Sequence, residues 1–338
     1  MIPFQYARAD NVADALRLIA AQQGAKFIAG GTNLLDLMKN NVEAPTWLVD
    51  ISRLPLTTVE ETTSGGLKIG ALVPNSDLAW HPLIEQRYPM IGSAILAGAS
   101  AQLRNMASTG GNLLQRTRCN YFYDTATPCN KRQPGSGCSA IKGLNRNHAI
   151  LGASDACIAT HPSDMCVALL ALDATVHVMG QNGARTIPMA DFHRLPGDGP
   201  EQDTNLQPNE MITAIELPPA PLTRNYTYIK IRDRMSYAFA LVSVAAALEL
   251  EGGVIKEARL ALGGVAHKPW RDKAAEDALK EQKPEQANFV RAADVLLRDA
   301  KPQKDNGFKV ELARRVIARA LMQAARGTPQ VQSDKNIQ

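Results

Sequence analysis

The chain has 338 residues, 45% of them hydrophobic and 21% charged, and a net charge of +4. That length and composition fit two or three domains with ordinary cores. The positive charge is scattered and no stretch nears about eighteen consecutive apolar residues, so neither nucleic-acid binding nor a transmembrane helix is expected.

The first 24 residues read as a short strand and then a helix. Asp10 and Asn11 are capping residues, Val12, Ala15, Leu16 and Ile19 keep the helical period, and Gly24 ends it. Lys26-Phe27-Ile28-Ala29 is a short strand, and Gly30-Gly31-Thr32-Asn33 turns it into a helix over residues 34–39. The first amides of a helix have no intrahelical partner and the dipole is positive there, so this turn suits a phosphate or pyrophosphate. It is neither a G-x-G-x-x-G fingerprint nor a P-loop. Taken alone, the segment is more readily explained as an ordinary strand-to-helix turn with an Asx cap.

Residues 47–51 are a strand, and Ser64-Gly65-Gly66 makes a hairpin into Leu67–Ala71. Residues 76–97 are helical, broken at His81-Pro82 and at Pro89. A stretch from Ser108 to Met165 follows, holding Cys119, Cys129, Cys138 and Cys157 between Ser108-Thr109-Gly110-Gly111-Asn112 and Ser163-Asp164. A helix over 165–172 leads to strands at 175–179 and 186–189, a Pro/Gly-rich loop over 194–210 and a strand over 211–217. Pro218-Pro219-Ala220-Pro221 reads as a linker and domain boundary. Beyond it, strands at 226–232, 239–251 and 254–262 precede helices near 273–281, 284–297 and 306–325, an α+β order. The polar residues 327–338 read as a disordered tail.

Four of the five cysteines fall within 39 residues, with nine, eight and eighteen residues between successive members. Zinc sites use closer C-x2–4-C pairs, and the compact ferredoxin run is absent. The clustering still favours a metal centre over disulfides in a chain long enough to fold without them. Tyr121-Phe122-Tyr123 would shield such a centre, and Asn130-Lys131-Arg132 and Gly135-Ser136-Gly137 would supply charge and amide donors. Cys166, among Val167, Ala168, Leu169 and Leu170, reads as a buried core thiol.

Taken together, Phe27–Leu34, Ser108–Asn112, Ser163-Asp164, Met211–Leu217 and the Lys230–Val242 region resemble the FAD-binding medium subunit of the molybdenum hydroxylases, the xanthine and carbon monoxide dehydrogenase group. The likeness spans residues 2 to 325 or so and is most specific in the two glycine segments. With its cysteine insert, absent from most members, the chain is similar to the flavoprotein subunit of bacterial periplasmic aldehyde oxidoreductases. The hydroxybenzoyl-CoA reductase subunit is the other type carrying such an insert.

The resemblance implies an α+β fold: a vanillyl-alcohol-oxidase-type (PCMH-type) FAD-binding domain over residues 1–221 and a C-terminal α+β domain of the CO dehydrogenase flavoprotein type over 222–326. The first domain would have two subdomains meeting near residue 55 and an iron–sulfur insert at about 117–158. FAD would lie between the subdomains. Ile28, Ala29, Gly30, Gly31, Thr32, Asn33 and Leu34 would hold its pyrophosphate. Ser108, Thr109, Gly111 and Asn112 would form the second binding segment. Ser163 and Asp164 would serve the ribose or adenine side, Ile212 would pack on the adenine, and Lys230 would approach the flavin ring. Cys119, Cys129, Cys138 and Cys157 would ligate a 4Fe–4S cluster.

The implied activity is electron transfer in a molybdenum-dependent aldehyde oxidoreductase: molybdenum cofactor in a large partner, 2Fe–2S clusters in a small one, FAD here, and an external acceptor. A self-contained FAD oxidase of the same fold and another type of molybdenum hydroxylase are the alternatives. Met1 to Tyr6 lack a basic n-region and an apolar h-region. The heterotrimer is thus expected in the periplasm by co-export with a signal-bearing partner, or otherwise in the cytoplasm.

Overall fold

The computed structural model describes residues 1–219 and 223–327. Its first unit comprises β1 (Gln5–Arg8), α1 (Val12–Ala21), β2 (Ala25–Ile28), α2 (Leu34–Lys39) and β3 (Trp47–Asp50). The Asn11 side chain caps α1 by accepting from the Asp14 amide at 2.9 Å, and Ala15, Leu16 and Ile19 are buried on one face. The strands are parallel in the order β1-β3-β2, so β3 enters between the first two.

The second unit opens with the hairpin β4 (Val59–Glu61) and β5 (Leu67–Gly70). Five helices follow: α3 (Asn75–Ala79), α4 (Pro82–Arg87), α5 (Pro89–Ala97), α6 (Ala101–Met106) and α7 (Thr109–Leu113). Pro82 and Pro89 open α4 and α5, where a missing amide costs nothing. The insert contributes two single turns, α8 (Asn120–Tyr123) and α9 (Ser139–Lys142). Then come α10 (Asp164–Ala171), β6 (Thr175–Gly180), β7 (Gly183–Pro188), α11 (Met189–Phe192) and β8 (Met211–Leu217). The sheet order is β4-β5-β8-β6-β7, antiparallel throughout.

The third unit is an antiparallel sheet of β9 (Tyr226–Ile231), β10 (Val242–Glu251), β11 (Val254–Gly263) and β12 (Trp270–Arg271), backed by α12 (Lys273–Asp277), α13 (Gln286–Leu296) and α14 (Phe308–Arg326). Period-2 alternation explains its two buried faces. Val244, Ala246 and Leu248 of β10 join the core beneath α13 and α14, whereas Ala245 and Ala247 join the core around α5 and α10. Helix α10 is consequently buried along all eight residues, packed against α5 and the third unit's sheet. Cys166 is fully buried there, as a core thiol should be.

Three departures from the sequence reading are physical. Residues 108–113, to which the sequence reading assigns no element, form the short helix Thr109–Leu113, which the Ser108 hydroxyl caps by accepting from the Gly111 amide. Residues 239–241 stay outside β10, which begins only where pairing with β9 starts at Val242. The two-residue strand β12 is too short to carry a periodic signal. Part of the linker, Ala220 and Pro221, and the tail from residue 328 lie outside the described residues.

Candidate functional site: a cofactor cleft and a four-cysteine pocket

A cleft of about 1120 Å³ opens where the first two units and the start of the third meet. Residues 28–34 form one wall. Among the described residues, the backbone amides of Gly30, Gly31, Thr32 and Asn33 have no protein acceptor. The buried Asn33 Nδ2 also lacks a partner. Buried donors are rarely left so, and a row of them is an anion-binding surface. Gly31 has φ +71°, a conformation that favours glycine. Gly30 serves a different need: a Cβ there would lie 1.7 Å from the Met106 carbonyl oxygen. Its close approach is therefore to backbone, and it locks this loop against α6.

Ser108, Gly111 and Asn112 line the opposite wall. Asn112 donates to Asn75 Oδ1 at 2.6 Å and accepts from Gln115 Nε2 at 2.9 Å and from the Ser163 hydroxyl. Thr109 is not among the cleft-lining residues: it is buried, with its amide and hydroxyl both donating to the Val73 carbonyl. Ser163 also stands behind the wall, capping α10 through the Cys166 amide at 3.1 Å. Both hydroxyls thus serve the scaffold of the cleft wall.

Asp164, Ile212 and Lys230 do line the cleft. Ser163 takes the cap, so Asp164 is free to accept from Tyr228 OH and from Lys230 Nζ, each at 2.7 Å. The resemblance puts Asp164 at the ribose or adenine side and Lys230 near the flavin ring. Their direct pairing makes them neighbours in one wall, because each saturates the other's charge.

Several cleft residues carried no sequence signal, since their partners lie far along the chain. Arg116 donates its amide to Asn33 Oδ1 at 2.9 Å, and its guanidinium pairs with Glu43 and Asp203. Burial would raise the Asp203 carboxyl, but Lys131 and Arg116 overcome that and hold it well below the usual range. Arg118 reaches Asp36 at 3.5 Å and lies 5.0 Å from the Phe239 ring centroid. The loop 233–239 closes the cleft with Arg234, Tyr237 and Phe239.

The insert holds a second, smaller pocket. Cys119, Cys129, Cys138 and Cys157 all line it, with Tyr121, Phe122, Asn130 and Lys131. All four are free thiols. An isolated bridge pairs Cys129 with Cys138, and a tight turn closes Ser154 on Cys157, which brings distant cysteines to one place. Burial pushes the Cys119 thiol up to about 12 and Cys157 up to about 11. A bound cation would reverse that by taking the thiolates as ligands. Among the described residues, the group of three ligand-type side chains with ligand atoms within 4.8 Å of one another is His161, Cys166 and His193. The four cysteines are not so close, whereas a single zinc ion with Zn–S bonds of about 2.3 Å draws its sulfurs nearer than that. The pocket gathers four sulfur donors.

Residues 2–220 match the family of FAD binding domains in molybdopterin dehydrogenase, and residues 226–326 match the CO dehydrogenase flavoprotein C-terminal domain. The chain is 53% identical over 325 residues to the aldehyde oxidoreductase FAD-binding subunit PaoB of Escherichia coli, covering 96% of this chain and 99% of that one. It is 30% identical over 268 residues to the glyceraldehyde dehydrogenase medium chain of Sulfolobus acidocaldarius, covering 79% and 78%. Among solved structures it is similar to carbon monoxide dehydrogenase from Hydrogenophaga pseudoflava, with TM-score 0.76 and 26% identity over 97% of this chain and 99% of that one. Among the described residues no helix is long and apolar enough to cross a membrane. The α+β fold, the cleft with its free amides and these matches agree, and the chain belongs to the FAD-binding medium subunits of the molybdenum hydroxylase family, an oxidoreductase subunit.

Proposed function

We propose that the chain is the electron-transferring flavoprotein subunit of a heteromeric molybdenum-dependent aldehyde oxidoreductase. The observation that carries the reading is the row of free amides at Gly30 to Asn33 facing the cleft, in a chain 53% identical to an aldehyde oxidoreductase FAD-binding subunit. Bound FAD supplies two-electron redox chemistry, and the protein supplies position and electrostatics. The Gly30–Asn33 amides hold the pyrophosphate. Ser108, Gly111 and Asn112 define the facing wall, and Ile212 offers an apolar surface. The Asp164–Lys230 ion pair, 2.7 Å apart, fixes both side chains in the cleft wall.

The four cysteines hold a 4Fe–4S cluster in this reading. Their convergence on one pocket, with Phe122 shielding it and Lys131 beside it, supports that assignment. A large molybdenum subunit and a small 2Fe–2S subunit complete the electron route, and an external acceptor takes the electrons from FAD.

The test is co-expression with the neighbouring subunits and purification through a tag on this chain. The expected product is a stoichiometric complex with one FAD and four irons assigned to this chain above those of the 2Fe–2S subunit. A colourless protein, or a monomer that turns over aldehyde without partners, would overturn the reading.

A further inference from the structure

The ring of His148 is buried inside the insert, with Nε2 only 3.1 Å from Cys119 Sγ. Among the described residues, it is the side chain that hydrogen-bonds one of the four converging sulfurs. Lys131 lines the pocket too, but its amine is committed to the Pro200 carbonyl and to Asp203. The Ala159 amide adds a longer contact to Cys157 Sγ at 3.4 Å.

The position of His148 is set from outside the insert. Its carbonyl accepts from Asn306 Nδ2 at 3.1 Å, just before α14, and from Lys309 Nζ at 2.9 Å in the first turn of α14. Lys309 is fully buried and also donates to the Gly264 carbonyl at 2.6 Å. The His148 amide donates to the Asn145 carbonyl at 3.0 Å. The Tyr121 ring stands beside the imidazole, with centroids 6.4 Å apart. The C-terminal domain therefore aims this ring at Cys119.

We propose that His148 acts through Cys119 to raise the reduction potential of the cluster held by the four cysteines. The proposal rests on the cluster reading above. A ligating cysteine is a thiolate, which can only accept, so the shared proton belongs to His148 Nε2. The remaining nitrogen, Nδ1, is then a bare acceptor, and it has no partner in the buried pocket. An N–H···S bond draws charge from the sulfur and stabilises the reduced, more negative cluster over the oxidised one. The contact thereby ties the redox poise of the insert to the seating of the C-terminal domain.

The experiment compares His148→Phe and His148→Gln with the parent in the complete heteromeric complex. Iron content is measured first, then the cluster's midpoint potential in a redox titration followed by paramagnetic resonance. His148→Phe removes the donor and keeps a ring, so it should retain four irons and move the potential to more negative values. His148→Gln restores an amide donor and should return it part of the way. Parent labelled with ¹⁵N-histidine provides a second measurement that needs no substitution: a histidine nitrogen should couple to the reduced cluster. A cluster with unchanged potential in His148→Phe, or with no histidine coupling in the labelled parent, overturns the proposal. Absence of iron from this chain in the parent complex overturns the cluster reading itself, which is a separate result.

Discussion

Lys230 Nζ lies 2.7 Å from Asp164 Oδ2, with the side chains only 4% and 8% exposed. The lysine belongs to β9 and the aspartate to the first turn of α10, so this ion pair joins the C-terminal sheet to the central helix of the FAD domain. Tyr228 OH, two residues before Lys230, satisfies the other carboxylate oxygen at 2.7 Å.

Removing one member of such a pair leaves a buried charge unmatched, which costs about 3–5 kcal/mol. Lys230→Met should therefore destabilise the chain by about 3 kcal/mol. Combining it with Asp164→Asn should recover part of that loss, because no charge is then stranded. Chemical denaturation of the two single variants, the double variant and the parent measures the coupling. Strictly additive losses would show that the pair is not coupled.

Gly31 gives a test of the cofactor loop. Its φ of +71° and the Leu35 side chain 2.8 Å from a virtual Cβ mean that Gly31→Ala must shift the loop. Strain of this kind costs about 1–3 kcal/mol. The shift displaces the free amides of residues 30–33, so the purified variant should carry well under half the parent's FAD. Flavin-stripped parent and variant should melt within a few degrees of each other. Full flavin occupancy in Gly31→Ala would remove these amides from the binding surface.

The buried histidines set a pH dependence. Burial pushes both His193 and His267 down to about 4, and it holds His161 well below its ordinary value. In the unfolded chain these rings take up protons near pH 6.5. Between about pH 6.5 and about 4 the unfolded state therefore binds more protons than the folded state. The stability these rings contribute is fully present above that window and is lost as pH falls through it. His193→Phe should flatten the fall of the melting temperature across the window by about one proton's worth. A slope identical to the parent's would show that His193 is not held neutral.

Much of the architecture was legible because its signals are local. Asn11 caps α1, Pro82 and Pro89 open α4 and α5, and the apolar-rich run Met211–Leu217 gives β8. The cleft wall at residues 28–34 was equally readable, since a glycine turn entering a helix is a local pattern. What was not readable depends on distant partners. Arg116 matters through Glu43 and Asp203, Lys131 through Asp203, and His148 through Asn306 and Lys309. The same holds for Thr109 and Ser163, whose hydroxyls turn inward to Val73 and Asn112. No spacing rule reports that a hydroxyl next to a glycine motif will be spent on scaffolding.

The final prediction concerns what the cysteine pocket does for the fold. The insert has a small apolar cluster of its own, in which Phe122 and Cys129 are buried against Leu37. Ordering its backbone costs about 1–2 kcal/mol per residue; Ile150, Leu151 and Ile158 are buried at its C-terminal end, but residues 117–148 bury few large apolar side chains to set against that cost. Polar ties help hold it at two ends. Tyr123 OH donates to Asp36 at 2.9 Å, beside the cofactor loop, and the Asp305 amide donates to Asn145 Oδ1 at 2.9 Å, beside α14. Metal–thiolate bonds across the pocket would supply the missing crosslink between these ends. Cys129→Ser should then lose iron, lower the melting temperature by about 5 °C or more, and loosen FAD through the Arg116–Asn33 and Tyr123–Asp36 contacts. Iron and flavin content, melting temperature and yield of assembled complex are read on one preparation. A variant that assembles, keeps its FAD and melts with the parent, yet no longer reduces that FAD from substrate, would place the pocket on the electron path and not in the framework.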